Sequence, residues 1–234
     1  MALKPFFVPK EVGDCTFSVS GGMELAQYPY SNLNYLIESR YTVLVLTGSV
    51  ALLTCNLPTN LMASAVILPF IQSQLTTFRI RVYSGLNATG TLLMDSGDGT
   101  GLRIFGFKSG ALGYQSLIAQ RSTPASIRSY TLEATGSFGT NYQIGGHIIG
   151  AKLQFDRCGQ EPTLRQLAGG QMAYTRSGIA VPAEPKRRGR VIDLPMQAMT
   201  ENDRTRLYDF EAKNGNKQFF ACVYPDGSAW QQQQ

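Results

Sequence analysis

Residues 41–71, YTVLVLTGSVALLTCNLPTNLMASAVILPFI, are the most apolar stretch of the chain, and their reading decides the fold. A run of this length invites comparison with a membrane span, which as a helix needs ~20 consecutive apolar residues. Asn56, Pro58, Thr59 and Asn60 break it in the middle, so neither half is long enough. What remains on each side is short, β-branched and bounded by turn formers, the pattern of buried β-strands.

The same pattern continues to residue 155. Candidate strands cover 42–46, 51–57, 65–70, 77–83, 101–107, 129–134 and 144–155. Between them lie GLNATG, DSGDGTG and GSFGTN, whose Gly, Asn and Asp tolerate positive φ or form side-chain turns. In FRIRVYS, Phe78, Ile80 and Val82 alternate with Arg79 and Arg81, which predicts a half-buried strand with a wet or partner-bound outer face. Hydrophobic residues make up 43% of the chain and charged residues only 16%, a balance that favours a β-rich fold over solvated helices or disorder. The expectation is a mainly β protein: an antiparallel sandwich or barrel, followed by a compact C-terminal module.

The chain divides into an N-terminal arm (1–40), the sandwich domain (41–156), a long polar connection (157–190) and a strand-helix-strand module (191–234). Within the arm, SNLNYLIESR reads as a short helix or an extended segment. In the last module VIDLPM reads as a strand, and Thr200 as the N-cap of a helix with Asp203 reaching back. That helix runs to about Lys213, turns Leu207 and Phe210 inward and stops at Asn214-Gly215. A final strand follows in KQFFACVYPDGS, and the four C-terminal Gln fray.

Charge is concentrated in one place. Between residues 176 and 190 five basic residues (Arg176, Lys186, Arg187, Arg188, Arg190) face Glu184 alone, supplying +4 of the net +5. A general nucleic-acid or anionic-membrane reading is weakened, since phosphate tracking needs basic residues spread along a face or groove. The run PKRRGR feeds the strand VIDLPM, and strand parity puts Lys186, Arg188 and Arg190 in one row with Ile192, Leu194 and Met196. Lys186, Arg187, Arg188 and Arg190 are therefore candidate subunit-interface residues, with Arg forks suited to carboxylates. A solvated strand entry and a DNA grip are the alternatives.

Catalytic chemistry is sparse in the sequence. The single histidine, His147, must serve any Ser/His/acid triad, and GxSxG, HExxH, GxxxxGK[ST] and EF-hand patterns are absent. No catalytic residue, cofactor or metal ligand is assigned. Cys15, Cys55, Cys158 and Cys222 form no CxxC or Cys/His pair and read as buried free thiols, with their pairing left open. Asp95 and Asp98 offer a thin case for Ca²⁺ against a plain turn. Tyr114, Tyr130, Phe138 and Tyr142 are the aromatics available for stacking on a sugar.

The run from Leu53 to Gly97 resembles a pattern of minor tail proteins of tailed bacteriophages: a strand, an apolar run, a polar loop, a "T-x-R-[IV]-R" strand and "L-x-D-S-G". SIRSYTLEATGSFGTNYQIGGHIIGAKL is similar to the closing strands of the same proteins, with Tyr142, Ile144, Gly145, Ile148 and Gly150 on the motif and Gly146-His147 replacing the usual "R-L". YTRSG, KRRGRVIDL and MTENDRTRL follow in the matching order, while the tryptophans frequent in that family are missing. The resemblance implies an antiparallel β-sandwich, a galactose-binding or discoidin-like jelly roll, followed by a small α/β C-terminal module, and a place in the tail tip or baseplate of a non-contractile tail. Implied partners are the distal tail, hub and fibre proteins in a homo-oligomeric ring, within a virion assembled in the host cytoplasm. A carbohydrate-binding module touching host surface glycans is the first alternative, and a DNA-binding protein using residues 186–190 the second.

Overall fold

The computed structural model describes residues 6–35, 40–72, 78–96, 102–106, 115–154, 163–169, 172–174, 180–182, 187–193, 200–215 and 219–222. Its first strands are β1 (Phe6–Pro9), β2 (Thr16–Ser20), β3 (Gly22–Glu24), β4 (Thr42–Leu46), β5 (Val50–Gln72) and β6 (Phe78–Tyr83). There follow β7 (Leu92–Asp95), β8 (Leu102–Gly106), β9 (Gln115–Thr135), β10 (Asn141–Gly145), β11 (Ile148–Gly150) and β12 (Leu153–Gln154). The C-terminal part adds β13 (Thr163–Gly169), β14 (Met172–Tyr174), β15 (Ala180–Pro182), β16 (Arg187–Asp193), the helix α1 (Glu201–Asn214) and β17 (Phe219–Cys222). Every strand pair is antiparallel, and α1 is the one α-helix among the described residues, so the expected mainly β architecture is what forms.

The two apolar halves of residues 41–71 beyond β4 are one strand, β5, which pairs along most of its length with β9. Register jumps from Asn56/Ser129 to Leu61/Ile127, so the polar break around Pro58 that excluded a membrane helix is a corner. A second jump, between Ala63/Ala125 and Ala65/Gln120, puts Pro124 at the corresponding corner of β9. Proline lacks an N–H for the ladder and suits such irregular positions. Corners of this kind let a strand pass from one sheet of a sandwich to the other. Before its corner β5 lies beside β2; beyond it, beside β10 and β11.

Both halves feed one core. Leu53 and Cys55 from the first half, Val66 and Leu68 from the second, and Ile80, Val82, Leu117, Tyr130 and Leu132 from neighbouring strands are buried in a single cluster. β6 follows its predicted alternation, with Phe78, Ile80 and Val82 buried. Its outward arginines are satisfied within the chain: Arg79 makes a two-bond fork to Asp95 at 2.8 and 2.6 Å, and Arg81 reaches Glu133 at 3.0 Å. The second half of β5 is buried on both faces from Ala63 to Pro69, which is why AVIL at its centre reads as an unbroken apolar run. Its other face, through Ala65 and Ile67, packs with Ile118, Ile148, Phe6 and Val8.

Phe6 and Val8 belong to a separate three-stranded sheet, β12-β1-β17. Within the first 40 residues β1 pairs with β17, while β2 and β3 enter the main ladder. Residues Tyr30–Asn34 form one short 3-10 helix. Thr200 caps α1 as its sequence predicts, accepting from the Asp203 N–H at 3.1 Å, and Gly215 ends the helix with φ +51. Phe210 turns inward against Phe7 and Phe219, with ring centroids 6.1 and 5.7 Å away. The polar connection contains paired strands, and β16 lies against β13 with Arg188 opposite Ala168 and Arg190 opposite Gln166.

Candidate functional site

Three turns gather at one end of the sandwich. The Thr47 N–H donates to the Gly21 carbonyl, tying the β4–β5 turn to the β2–β3 turn at 3.0 Å. Gly136 N–H donates to Ser49 and Gly139 N–H to Leu46, at 3.0 and 2.9 Å, bringing in the β9–β10 turn. Tyr142 secures the base of that last turn by donating its hydroxyl to the Thr135 carbonyl, with its ring edge-on to Phe78. At the tip stands Phe138, 80% exposed, on a backbone fixed from both sides. Ser137, Asn141 and Ser49 around it are exposed too.

Gly21 is the keystone of this end. Its φ is +68, and a Cβ there would lie 2.2 Å from the Val50 carbonyl oxygen, a backbone atom that cannot step aside. Gly21→Ala is expected to cost at least about 1–2 kcal/mol, the penalty of a left-handed L-residue before any clash. Urea unfolding checks the loss.

The aromatics named from sequence separate cleanly. Tyr130 and Tyr142 are buried and Phe138 is open, while Tyr114 lies outside the described residues. Burial could not be read from composition, since Tyr130, Phe138 and Tyr142 sit in similar strand or turn contexts. Asp98 also lies outside the described residues, and Asp95 is engaged by Arg79. Lys186 lies outside as well, as do the side chains of Arg187, Arg188 and Arg190; the backbone of these three is in β16. A cavity of about 550 Å³ opens between β1 and α1, lined by Lys10, Glu11, Lys152, Arg206 and Asp209 among others. Its mixed charges single out no ligand.

His147 sits in a second, buried place. It lies between β10 and β11, fully enclosed, with its backbone N–H donating to the Leu33 carbonyl at 3.1 Å and ring Nδ1 bonded to the Tyr130 hydroxyl at 2.9 Å. Cys15 and Cys55 are beside it as free, buried thiols. β2 runs along β5 with Phe17 opposite Cys55, so Cys15, two residues before Phe17, comes diagonally next to Cys55. The hydrogen bond with Cys55 draws the Cys15 thiol down to about 5 against the pull of burial, helped by the nearby His147 and Lys10. Burial first, then Cys15, pushes Cys55 up, so the two thiols divide into an acceptor and a donor. No local spacing announces this cluster, because its members come from three distant segments. Cys158 lies outside the described residues, and Cys222 is described only through the backbone of β17.

No protein-family model and no curated relative matches the chain. Among solved structures, it is similar to the family 32 carbohydrate-binding module of C. perfringens NanJ in complex with galactose, at 14% identity and TM-score 0.42 over 62% of this chain and 98% of that one. Chitosan-binding module 1 of a chitosanase/glucanase from Paenibacillus sp. IK-5 is 12% identical over 59% of this chain and 96% of that one, with TM-score 0.41. The lectin binding domain of lectinolysin, a His 62 mutant complexed with Lewis b, is 10% identical over 61% and 95%, with TM-score 0.42. At these values the likeness says nothing about what this chain binds.

Proposed function

We propose that the chain is a non-catalytic recognition module whose three-turn end contacts a carbohydrate. The observation that carries this is Phe138: an aromatic ring 80% exposed at the tip of a turn whose backbone is pinned on both sides to the β4–β5 turn. An exposed ring presents apolar area that a ligand can cover on binding. An apolar ring on the same turn cluster as exposed serine and asparagine residues offers what a sugar needs, a ring to stack on and polar groups to fix its hydroxyls. Preorganised turns lower the ordering cost of binding a small ligand. The test is a glycan array with the full chain, followed by calorimetric titration with each glycan that scores and with free galactose. Saturable binding supports the reading; no binding at millimolar sugar overturns it.

A second reading, compatible with the first on one particle, is a structural subunit of a phage tail tip or baseplate, assembled around distal tail, hub and fibre proteins. Its support is the order of tail-protein motifs and the exposure of Met62 at the β5 corner and Tyr208 on α1, at 58% and 69%. These sites offer apolar contact for neighbouring subunits. Charge reversal at Arg188 and Arg190 is expected to impair tail assembly while the isolated protein keeps its circular dichroism spectrum. Normal virions carrying both substitutions would end the case for a docking strand.

A further inference from the structure

The Cys15, Cys55 and His147 cluster is unused by either reading. Both thiol sulfurs and a ring nitrogen of His147 lie within 4.8 Å of one another, and all three residues are buried. The place is built rather than accidental. The 3-10 helix Tyr30–Asn34 holds two of the three segments: Asn34 accepts from the Cys15 N–H at 3.0 Å and donates to its carbonyl at 3.2 Å, and Leu33 accepts from the His147 N–H. Tyr130 takes Nδ1, which leaves Nε2 of the ring buried and without a hydrogen-bond partner. An orphaned polar atom at full burial is costly and calls for an explanation.

We propose that Cys15, Cys55 and His147 bind one thiophilic d¹⁰ cation, Zn(II) or Cu(I). Two sulfurs and an imidazole nitrogen are soft to borderline ligands that favour these ions. Ca²⁺ and Mg²⁺ call for oxygen ligands, and the three residues offer none from their side chains. Tyr130 has the part of an outer partner that fixes the tautomer and orientation of a ligating histidine. Half-buried Lys10, whose ammonium donates to the Asn34 carbonyl, adds a positive charge near Cys15 that favours its thiolate. Binding ties Cys15, β5 and the β10–β11 link together, which makes the ion a clamp across the core.

The full chain, reduced and stripped with a chelator, is incubated with Zn(II) or, anaerobically, with Cu(I), then desalted and assayed for metal. About one equivalent of either ion should be retained, and Co(II) in its place should show sulfur-to-metal charge-transfer absorption. Cys15→Ser, Cys55→Ser and His147→Gln should each weaken retention at least about tenfold. The Co(II) spectrum and metal-dependent protection of the two thiols from alkylation are read on the unaltered protein, so misfolding of a variant cannot hide the answer. No retained ion, Co(II) binding without sulfur charge transfer, or undiminished retention in folded variants would overturn the site.

Discussion

Phe138→Ala is expected to weaken glycan binding at least tenfold and to leave the unfolding midpoint within error of the parent protein. Truncating a well-placed aromatic anchor removes more than about 1.4 kcal/mol of binding free energy, which is a factor of ten in affinity. The same change should not disturb folding, because an 80% exposed side chain contributes little packing. Tyr208→Ala provides the control, since that ring is 69% exposed but lies on α1. Equal loss in both variants would point to non-specific apolar adsorption. Unchanged binding in Phe138→Ala would remove the three-turn end as the contact.

Phe6→Ala is expected to destabilise the protein by about 3–5 kcal/mol in urea unfolding, the usual cost of emptying a phenylalanine site in a core. Phe6 is 1% exposed, clusters with Ile67, Ile118 and Ile148, and has the Phe220 ring at 6.3 Å and the Lys152 ammonium 5.6 Å from its own ring centre. It thus bridges the main sandwich and the small β12-β1-β17 sheet. Hydrogen exchange should show protection lost first in β1, β12 and β17. A cost below about 1 kcal/mol would mean that this sheet is not docked on the second face of β5.

Much of the strand grammar was legible because its cause is local. β4 and β6 announce themselves through β-branched residues and alternation, and the alternation in FRIRVY names its own buried face. Thr200 and Gly215 mark the ends of α1 through short-range capping chemistry. The partners of those elements were not legible. Nothing in FFVP says that it will pair with FFAC near the other end of the chain, since that contact depends on how the intervening core closes.

The sites divide in the same way. Phe138 could be listed among four aromatics, but only the packing of Tyr130 and Tyr142 removed them as surface platforms. Asp95 looked like a loop carboxylate until the pairing of β6 with β7 placed it across from Arg79 and Arg81. Cys15, Cys55 and His147 carried no ligand spacing at all, and the β2–β5 pairing with the Asn34 and Leu33 contacts set them side by side.

The sequence by itself determined that this chain is an antiparallel β protein with a capped helix near its C-terminus, because periodicity, turn chemistry and caps act over a few residues. Only the tertiary structure decided which aromatic faces water and which thiols meet the histidine. Those outcomes depend on strand partners far apart in the chain and on which face of each strand the core covers.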